Sequence, residues 1–71
     1  MTTATRGELL VALAELSTSA PELRFGQMVA NVATLARGAT AAAVWDAEDD
    51  EMLAAVRRLV ERYRLRNEQV A

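Results

Sequence analysis

The clearest helix signal in this 71-residue chain lies in the stretch DAEDDEMLAAVRRLVERYRLR, residues 46–66. Its apolar residues recur every three or four positions and form one continuous stripe: Met52, Leu53, Val56, Leu59, Val60 and Tyr63. Asp46 is well placed as the N-cap, and the carboxylates that follow it complement the positive end of a helix dipole. The sequence therefore predicts a long amphipathic helix from Asp46 to about Arg66.

The N-terminal half of the chain predicts two shorter helices. The first is expected at residues 8–17, after a frayed leader, because its leucines recur at helical spacing: Leu9, Leu10, Leu13 and Leu16. The second is expected from Pro21 to about Arg37, with Ser19 as its N-cap and Glu22 completing a capping box. Gly38 is well placed to end it. Its predicted apolar face consists of Phe25, Met28, Val29, Val32, Ala33 and Ala36.

Together these helices predict an all-α fold, a small three-helix bundle that forms a single domain over residues 1–71. Residues 1–5 and 67–71 are expected to fray, and the Ala-rich connector at 39–45 leaves open a short fourth helical turn. Trp45 is expected to lie over the core, because a ring of that size is costly to leave in water. The predicted core consists of Leu9, Leu13, Leu16, Phe25, Met28, Val32, Leu53, Val56, Leu59 and Val60.

The length and composition limit how such a bundle is stabilised. Domains this small bury a modest core and often depend on disulfides, a metal or a partner chain. Cysteine and histidine are both absent, which removes disulfides and the two commonest soft metal ligands. We therefore expect support from a partner protein or a second copy, and neither a catalytic site, nor a cofactor, nor a metal.

The charge and hydropathy of the chain point to a cytoplasmic protein. A net charge of -2 gives no overall attraction to nucleic acid or anionic lipid. No apolar run approaches the roughly 18 residues of a membrane span, and no cleavable apolar segment follows the N-terminus. We therefore expect no contact with a membrane.

The acidic cluster DAEDDE, residues 46–51, permits a metal interpretation and a structural one. A calcium loop of the EF-hand type requires Gly at its sixth position and Glu at its twelfth, where this chain has Glu51 and Arg57. Acid–base chemistry by paired carboxylates would require a pocket that separates their pKa values, which a solvated helix start does not supply. The cluster is therefore interpreted as helix capping.

Five arginines flank the apolar stripe of the last predicted helix: Arg57, Arg58, Arg62, Arg64 and Arg66. Like charges four residues apart repel slightly, so the arrangement favours an anionic neighbour. Phosphate is one candidate, and the acidic start of the same helix in an antiparallel second copy is another. The remaining interpretation is that the long side chains cover the edge of the core and keep their charged heads in water.

A polar line on the second predicted helix supports an alternative function. It consists of Arg24, Gln27, Asn31 and Thr34, which share one helix face. Arg, Gln and Asn are residue types that read base edges in a major groove, so the first two helices would form a helix-turn-helix. Their connector is longer than the usual turn of that motif. A line of exposed or hydrogen-bonded side chains is the simpler interpretation.

Two segments together resemble a group of small uncharacterised bacterial and phage proteins. They are LRFGQMVAN, residues 23–31, and VWDAEDDEML, residues 44–53. The residues that match this double motif are Arg24, Gly26, Gln27, Asn31, Trp45, Glu48, Asp49 and Glu51. The group has no assigned activity, so the resemblance implies only a geometry, in which Arg24 pairs with Glu48 or Asp49 and ties the second helix to the third.

The sequence favours a non-enzymatic protein–protein interaction module. It would be an accessory, adaptor or inhibitor-like small subunit that self-associates or docks on a larger protein. A small helix-turn-helix-like DNA-binding regulator is the alternative. The residues predicted to contact a partner are Arg24, Gln27, Asn31, Trp45, Glu48, Asp49, Arg58 and Arg62.

Overall fold

The structure, a computed structural model, describes residues 3–70, and four helices make up most of that range. They are α1 (Thr3–Ser19), α2 (Phe25–Arg37), α3 (Ala43–Asp46) and α4 (Asp49–Val70). No strand occurs among the described residues. The predicted all-α bundle of three main helices is confirmed, and α3 is the short fourth turn. The predicted fraying of residues 1, 2 and 71 falls outside the described residues.

α4 is the central element of the bundle. Both α1 and α2 pack along α4 and make few contacts with each other, while α3 packs on α2. The three largest fully buried side chains come one from each long helix: Leu16, Val32 and Val56. None of the helices within residues 3–70 has both the length and the hydropathy that a bilayer span requires.

The predicted core is confirmed except at Phe25. Seven of the predicted residues are buried, and Leu13 and Val60 pack against them partly buried. Phe25 was predicted to be buried, but its side chain is 66% exposed. It is the first residue of α2 and lies one turn before Met28, where that helix first reaches the core.

The start of α2 differs from the prediction. Ser19 is the last residue of α1 and not the N-cap of α2. Pro21 ends α1, because the residue before a proline is disfavoured in the helical region, and Glu22 lies in the following turn. Arg24 is the N-cap, and its backbone N–H donates to Oε1 of Gln27 at 2.8 Å. Gln27, not Glu22, therefore supplies the reach-back hydrogen bond of a capping box.

The end of α2 agrees with the prediction. Gly38 has a φ of 101°, a conformation that a side chain disfavours. Its N–H donates to the carbonyl of Thr34 at 2.7 Å, which satisfies one of the free carbonyls at the helix end. Glycine is therefore required here by the backbone geometry.

The two longest helices extend beyond their predicted limits. α1 begins at Thr3, inside the leader that was expected to fray, and α4 continues to Val70, past Arg66. Asp46 was predicted to cap α4, but it is the last residue of α3. Its backbone N–H donates to the carbonyl of Ala42, so the residue belongs to the preceding helical turn.

Candidate interaction surfaces

α1 carries apolar residues on two opposite faces. The inner face is buried against α4 and consists of Leu9, Ala12 and Leu16. At about 100° per residue, a second set of positions lies on the opposite side of the helix. We call it the outward face of α1, and it consists of Gly7, Leu10, Val11 and Ala14. Leu10 and Val11 are 59% and 62% exposed, and the two small residues are exposed beside them.

A groove of about 640 Å³ runs beside the outward face, between α1 and α4. It is lined by Ala4, Gly7, Glu8, Val11, Ala12, Glu15, Arg57, Val60 and Glu61. Arg57 donates from Nη2 to Oε2 of Glu8 across the two helices at 3.3 Å. The lining therefore combines apolar side chains with three carboxylates and one arginine, which suits an apolar side chain flanked by positive charge.

Trp45 lies on the outside of α3. Its predicted position over the core is wrong, because the side chain is 91% exposed, and the neighbouring Val44 is also exposed. α3 has only four residues, and the small side chain of Ala43 occupies the side that faces the rest of the protein. The exposure of Trp45 is compatible with its predicted role as a contact residue.

The acidic cluster supplies two interhelical ion pairs. Arg6 on α1 binds Asp49, with Nε 2.6 Å from Oδ2, and Arg37 on α2 binds Glu51, with Nη2 2.8 Å from Oε1. Glu51 also accepts the backbone N–H of Glu48 at 3.1 Å, which repeats the reach-back bond at the start of α2. Three carboxylates of the cluster form no ion pair within residues 3–70: Asp46, Glu48 and Asp50.

Electrostatics at Glu51 follow from these contacts. The hydrogen bond from Arg37 lowers the pKa of the Glu51 carboxyl, and the backbone N–H of Glu48 lowers that pKa further. In return, the Glu51 carboxylate raises the pKa of Arg37. In the described part of the chain, no cluster of acidic side chains has an arrangement that could hold a metal ion.

Arg37, and not Arg24, ties α2 to the start of α4. The predicted pairing of Arg24 with Glu48 or Asp49 is wrong, because none of the ion pairs among the described residues includes Arg24. α2 and α4 run antiparallel, because Asn31 lines a groove with Arg62, whereas Ala36 lines one with Glu51. The start of α4 therefore meets the end of α2. Arg24 lies 13 residues before Arg37, about 20 Å away along the helix.

The predicted polar line on α2 is exposed along its whole length: Arg24, Gln27, Asn31 and Thr34. Its second half borders a groove of about 400 Å³ between α2 and α4, lined by Asn31, Thr34, Leu35, Leu59, Arg62 and Tyr63. The structure therefore brings two predicted contact residues, Asn31 and Arg62, to one groove. Arg24 and Gln27 lie at the other end of α2 from Glu48 and its neighbours.

The arginines of α4 divide into paired and unpaired residues. Arg57 binds Glu8, Arg64 binds Glu61 and Glu68, and Arg66 binds Glu22. The guanidinium of Arg66 also lies 4.5 Å from the centre of the Tyr63 ring. Arg58 and Arg62 are exposed and form no ion pair with any described residue. These two cations are therefore available to an external partner.

Comparison with known proteins found no matching family model, no matching curated protein and no matching solved structure. The two motif segments nevertheless share a structural position, because each one opens a helix. Gln27 and Glu51 each accept a backbone N–H from the residue three positions earlier, Arg24 and Glu48 respectively. Part of the double motif is therefore accounted for by helix capping.

Two features of these surfaces were not predicted from the sequence. One is the exposure of Leu10 and Val11, and the other is the Arg37–Glu51 pair. The exposure of Leu10 and Val11 could have been predicted, because apolar residues occur on opposite sides of α1 and cannot all face one neighbour. The second depends on which ends of α2 and α4 meet, and no local pattern encodes that.

Proposed function

We propose that this chain is a non-enzymatic protein–protein interaction module that docks through the outward face of α1. The observation that carries the proposal is the presence of two opposite apolar faces on α1, of which α4 covers only one. A helix with apolar residues on two opposite faces needs a neighbour on each face to keep both out of water. A partner that covers Leu10 and Val11 removes apolar area from water, at about 25 cal/mol per Å².

The chemistry of the partner follows from the groove beside this face. Glu8 and Glu61 line it but are bound by Arg57 and Arg64, so Glu15 is the lining carboxylate that forms no ion pair with the described residues. Complementary potentials favour association, so a partner segment with apolar side chains and flanking basic residues fits best. An accessory, adaptor or inhibitor-like subunit in the cytoplasm matches this description.

Trp45 is proposed as a second point of contact. Tryptophan is enriched among the residues that dominate binding energies, and this one is exposed next to Val44. It is the only tryptophan in the chain, so its fluorescence reports on this position alone. Contact with a partner shifts its emission to shorter wavelength and protects it from a water-soluble quencher.

The non-enzymatic part of the proposal rests on the side chains available for chemistry. The sequence contains no histidine, cysteine or lysine, which are common general bases and nucleophiles. Its carboxylates are mostly exposed at helix ends and edges. Such groups lack the enclosed setting that separates pKa values for acid–base work.

Capture of binding proteins by the immobilised chain tests the proposal. The wild type and the double variant Leu10→Gln, Val11→Gln are exposed to lysate of the source organism. We expect the double variant to bind its partner at least about tenfold more weakly, which corresponds to about 1.4 kcal/mol of binding free energy, and therefore to capture less protein. Phe25→Gln is the matched control, because it also makes an exposed large apolar residue polar, but away from α1.

Circular dichroism of all three proteins establishes that the helices are intact before capture is compared. Equal capture by the wild type and the double variant would contradict docking through α1. Equal losses in the double variant and in Phe25→Gln would indicate nonspecific apolar adhesion instead.

A DNA-binding regulator is the second candidate, and the exposure of the whole polar line on α2 favours it. Within residues 3–70, carboxylates bind five of the eight arginines, which leaves little positive charge for phosphates. Fluorescence anisotropy with labelled duplex DNA tests this function. DNA binding that weakens steeply with salt would support it, because counterions are released when phosphates are neutralised.

A further inference from the structure

We infer that a second copy of this chain pairs antiparallel along the exposed side of α4. This surface, the α4 stripe, consists of Asp50, Ala54, Arg58, Glu61, Arg62 and Leu65, all of which are exposed. At about 100° per residue they fall within roughly 120° of the helix surface. The stripe is separate from the outward face of α1, so the inference goes beyond the proposed function and shares only the premise of contact with a protein.

The ion pairs within the chain leave opposite charges at the two ends of this stripe. At the start of α4, Asp49 and Glu51 are bound by arginines of α1 and α2. Asp50 on the stripe accepts the backbone N–H of Glu51 but forms no ion pair with the described residues. Towards the end of α4, Glu61 is bound by Arg64, whereas Arg58 and Arg62 form no ion pair with the described residues. The stripe is therefore acidic at one end and basic at the other.

A surface with this polarity is complementary to itself in an antiparallel arrangement. Arg58 lies four residues after Ala54 and Asp50 four residues before it. A two-fold axis beside Ala54 therefore brings each Asp50 opposite Arg58 of the other copy. Arg62, eight residues after Ala54, extends beyond Asp49, the first residue of the other copy's α4, towards α3, where Asp46 is exposed and forms no ion pair with the described residues. Each contact occurs twice, as an interface between identical copies requires.

The side chains between the charged ends permit close contact. Ala54 is small, so two copies of α4 can approach to about 8 Å between their axes, the lower limit for packed helices. Leu65 is 46% exposed and points towards the α3 end of the other copy, where Val44 and Trp45 are exposed. Apolar contact there adds to the electrostatic attraction.

Solution mass by light scattering tests the inference. We expect the wild type to have twice the monomer mass at low salt and to dissociate as salt rises from about 0.05 M to about 0.5 M, since screening weakens exposed ion pairs. Arg58→Glu, Arg62→Glu leaves unpaired acidic charge at both ends of the proposed contact, and Asp46→Arg, Asp50→Arg leaves unpaired basic charge at both ends. Each double variant should be monomeric alone, and a 1:1 mixture should form a heterodimer.

The chain that carries all four substitutions is the matched control. It has the net charge of the wild type and a reversed but still complementary stripe, so we expect it to dimerise. A monomeric wild type at low salt would overturn the inference. Double variants that remain dimeric, or a mixture that stays monomeric, would overturn it as well.

The variant Leu10→Gln, Val11→Gln separates this inference from the proposed function. A dimer through α4 persists in that variant, whereas a dimer through α1 is lost. If this variant is monomeric while the α4 charge variants remain dimeric, self-association occurs through α1. That result would overturn the present inference and leave the proposed function standing. An α4 dimer that captures nothing through α1 would leave the present inference standing and contradict the proposed function.

Discussion

The two faces of α1 have similar composition and opposite environments. Leu16 on the inner face is 1% exposed, and Leu10 on the outward face is 59% exposed, although both belong to one continuous helix. The difference arises because α4 packs on the inner face alone. Apolar periodicity therefore creates a face that can be buried, and the neighbouring elements decide whether it stabilises the fold or remains available to a partner.

The largest expected difference in stability is between two variants that each place a carboxylate on one face of α1. Leu16→Asp should destabilise the domain by about 4 kcal/mol or more, because it leaves an unpaired carboxylate in the core. Leu10→Asp should change the free energy of unfolding by less than about 1 kcal/mol. Urea denaturation followed by circular dichroism compares the two. Equal destabilisation would mean that the outward face is part of the core.

Enlarging one alanine on each face of α1 compares the two faces through a smaller change in stability. Ala12 is buried and Ala14 is exposed. Ala12→Leu should cost about 1–3 kcal/mol, because added methylene groups overpack the contact with α4. Ala14→Leu should stay within about 0.5 kcal/mol of the wild type. Thermal melts measure both, and a stabilised Ala12→Leu variant would show that the α1–α4 contact is loosely packed.

A substitution at Gly7 tests whether the outward face of α1 is free of neighbouring atoms. A Cβ added at this position meets nothing within 4 Å, and the residue lies inside α1. Gly7→Ala should therefore stabilise the chain by about 0.5–1 kcal/mol, because glycine loses more backbone freedom in a helix. A thermal melt checks this, and a lower melting temperature would indicate that the space is occupied.

The smallest expected effect concerns pH and the ion pair that holds α2 against α4. Because the pKa of Glu51 is lowered in the folded protein, the ionised form contributes stability above the ordinary glutamate pKa of about 4.5. That contribution disappears as pH falls through the lowered pKa. The melting temperature should therefore fall on acidification, and it should fall less in Glu51→Gln.

Glu15→Gln is the control for this titration, because Glu15 forms no ion pair with the described residues. Its melting temperature should follow that of the wild type over the same pH range. Identical acid sensitivity in Glu51→Gln and the wild type would contradict the role given to the Arg37–Glu51 pair.

Much of the fold follows from local pattern. Val32, Val56 and Leu59 were predicted to be buried because each belongs to an apolar stripe with helical spacing, and each is buried. Gly38 was predicted to end α2 for a backbone reason that holds in the structure. These features depend on residues within one or two helical turns, so the sequence carries them directly.

The failures concern features that depend on distant neighbours. Trp45 was assigned to the core on size and Phe25 on its place in an apolar helical stripe, but no neighbouring element of the described chain covers either side chain. The tie between α2 and α4 was assigned to Arg24, whereas the antiparallel packing brings Arg37 to Glu51. Burial and pairing across helices require the tertiary arrangement, which a local pattern does not specify.

The docking role of α1 can be measured directly because the chain contains no cysteine. Ala14→Cys places a single thiol on the outward face, and a polarity-sensitive fluorophore attached there reports whether water surrounds it. Thr40→Cys, in the exposed connector before α3, is the control. We predict that lysate of the source organism shifts the emission from position 14 to shorter wavelength and leaves that from position 40 unchanged. Unchanged emission from position 14 would contradict the proposal that a protein covers this face.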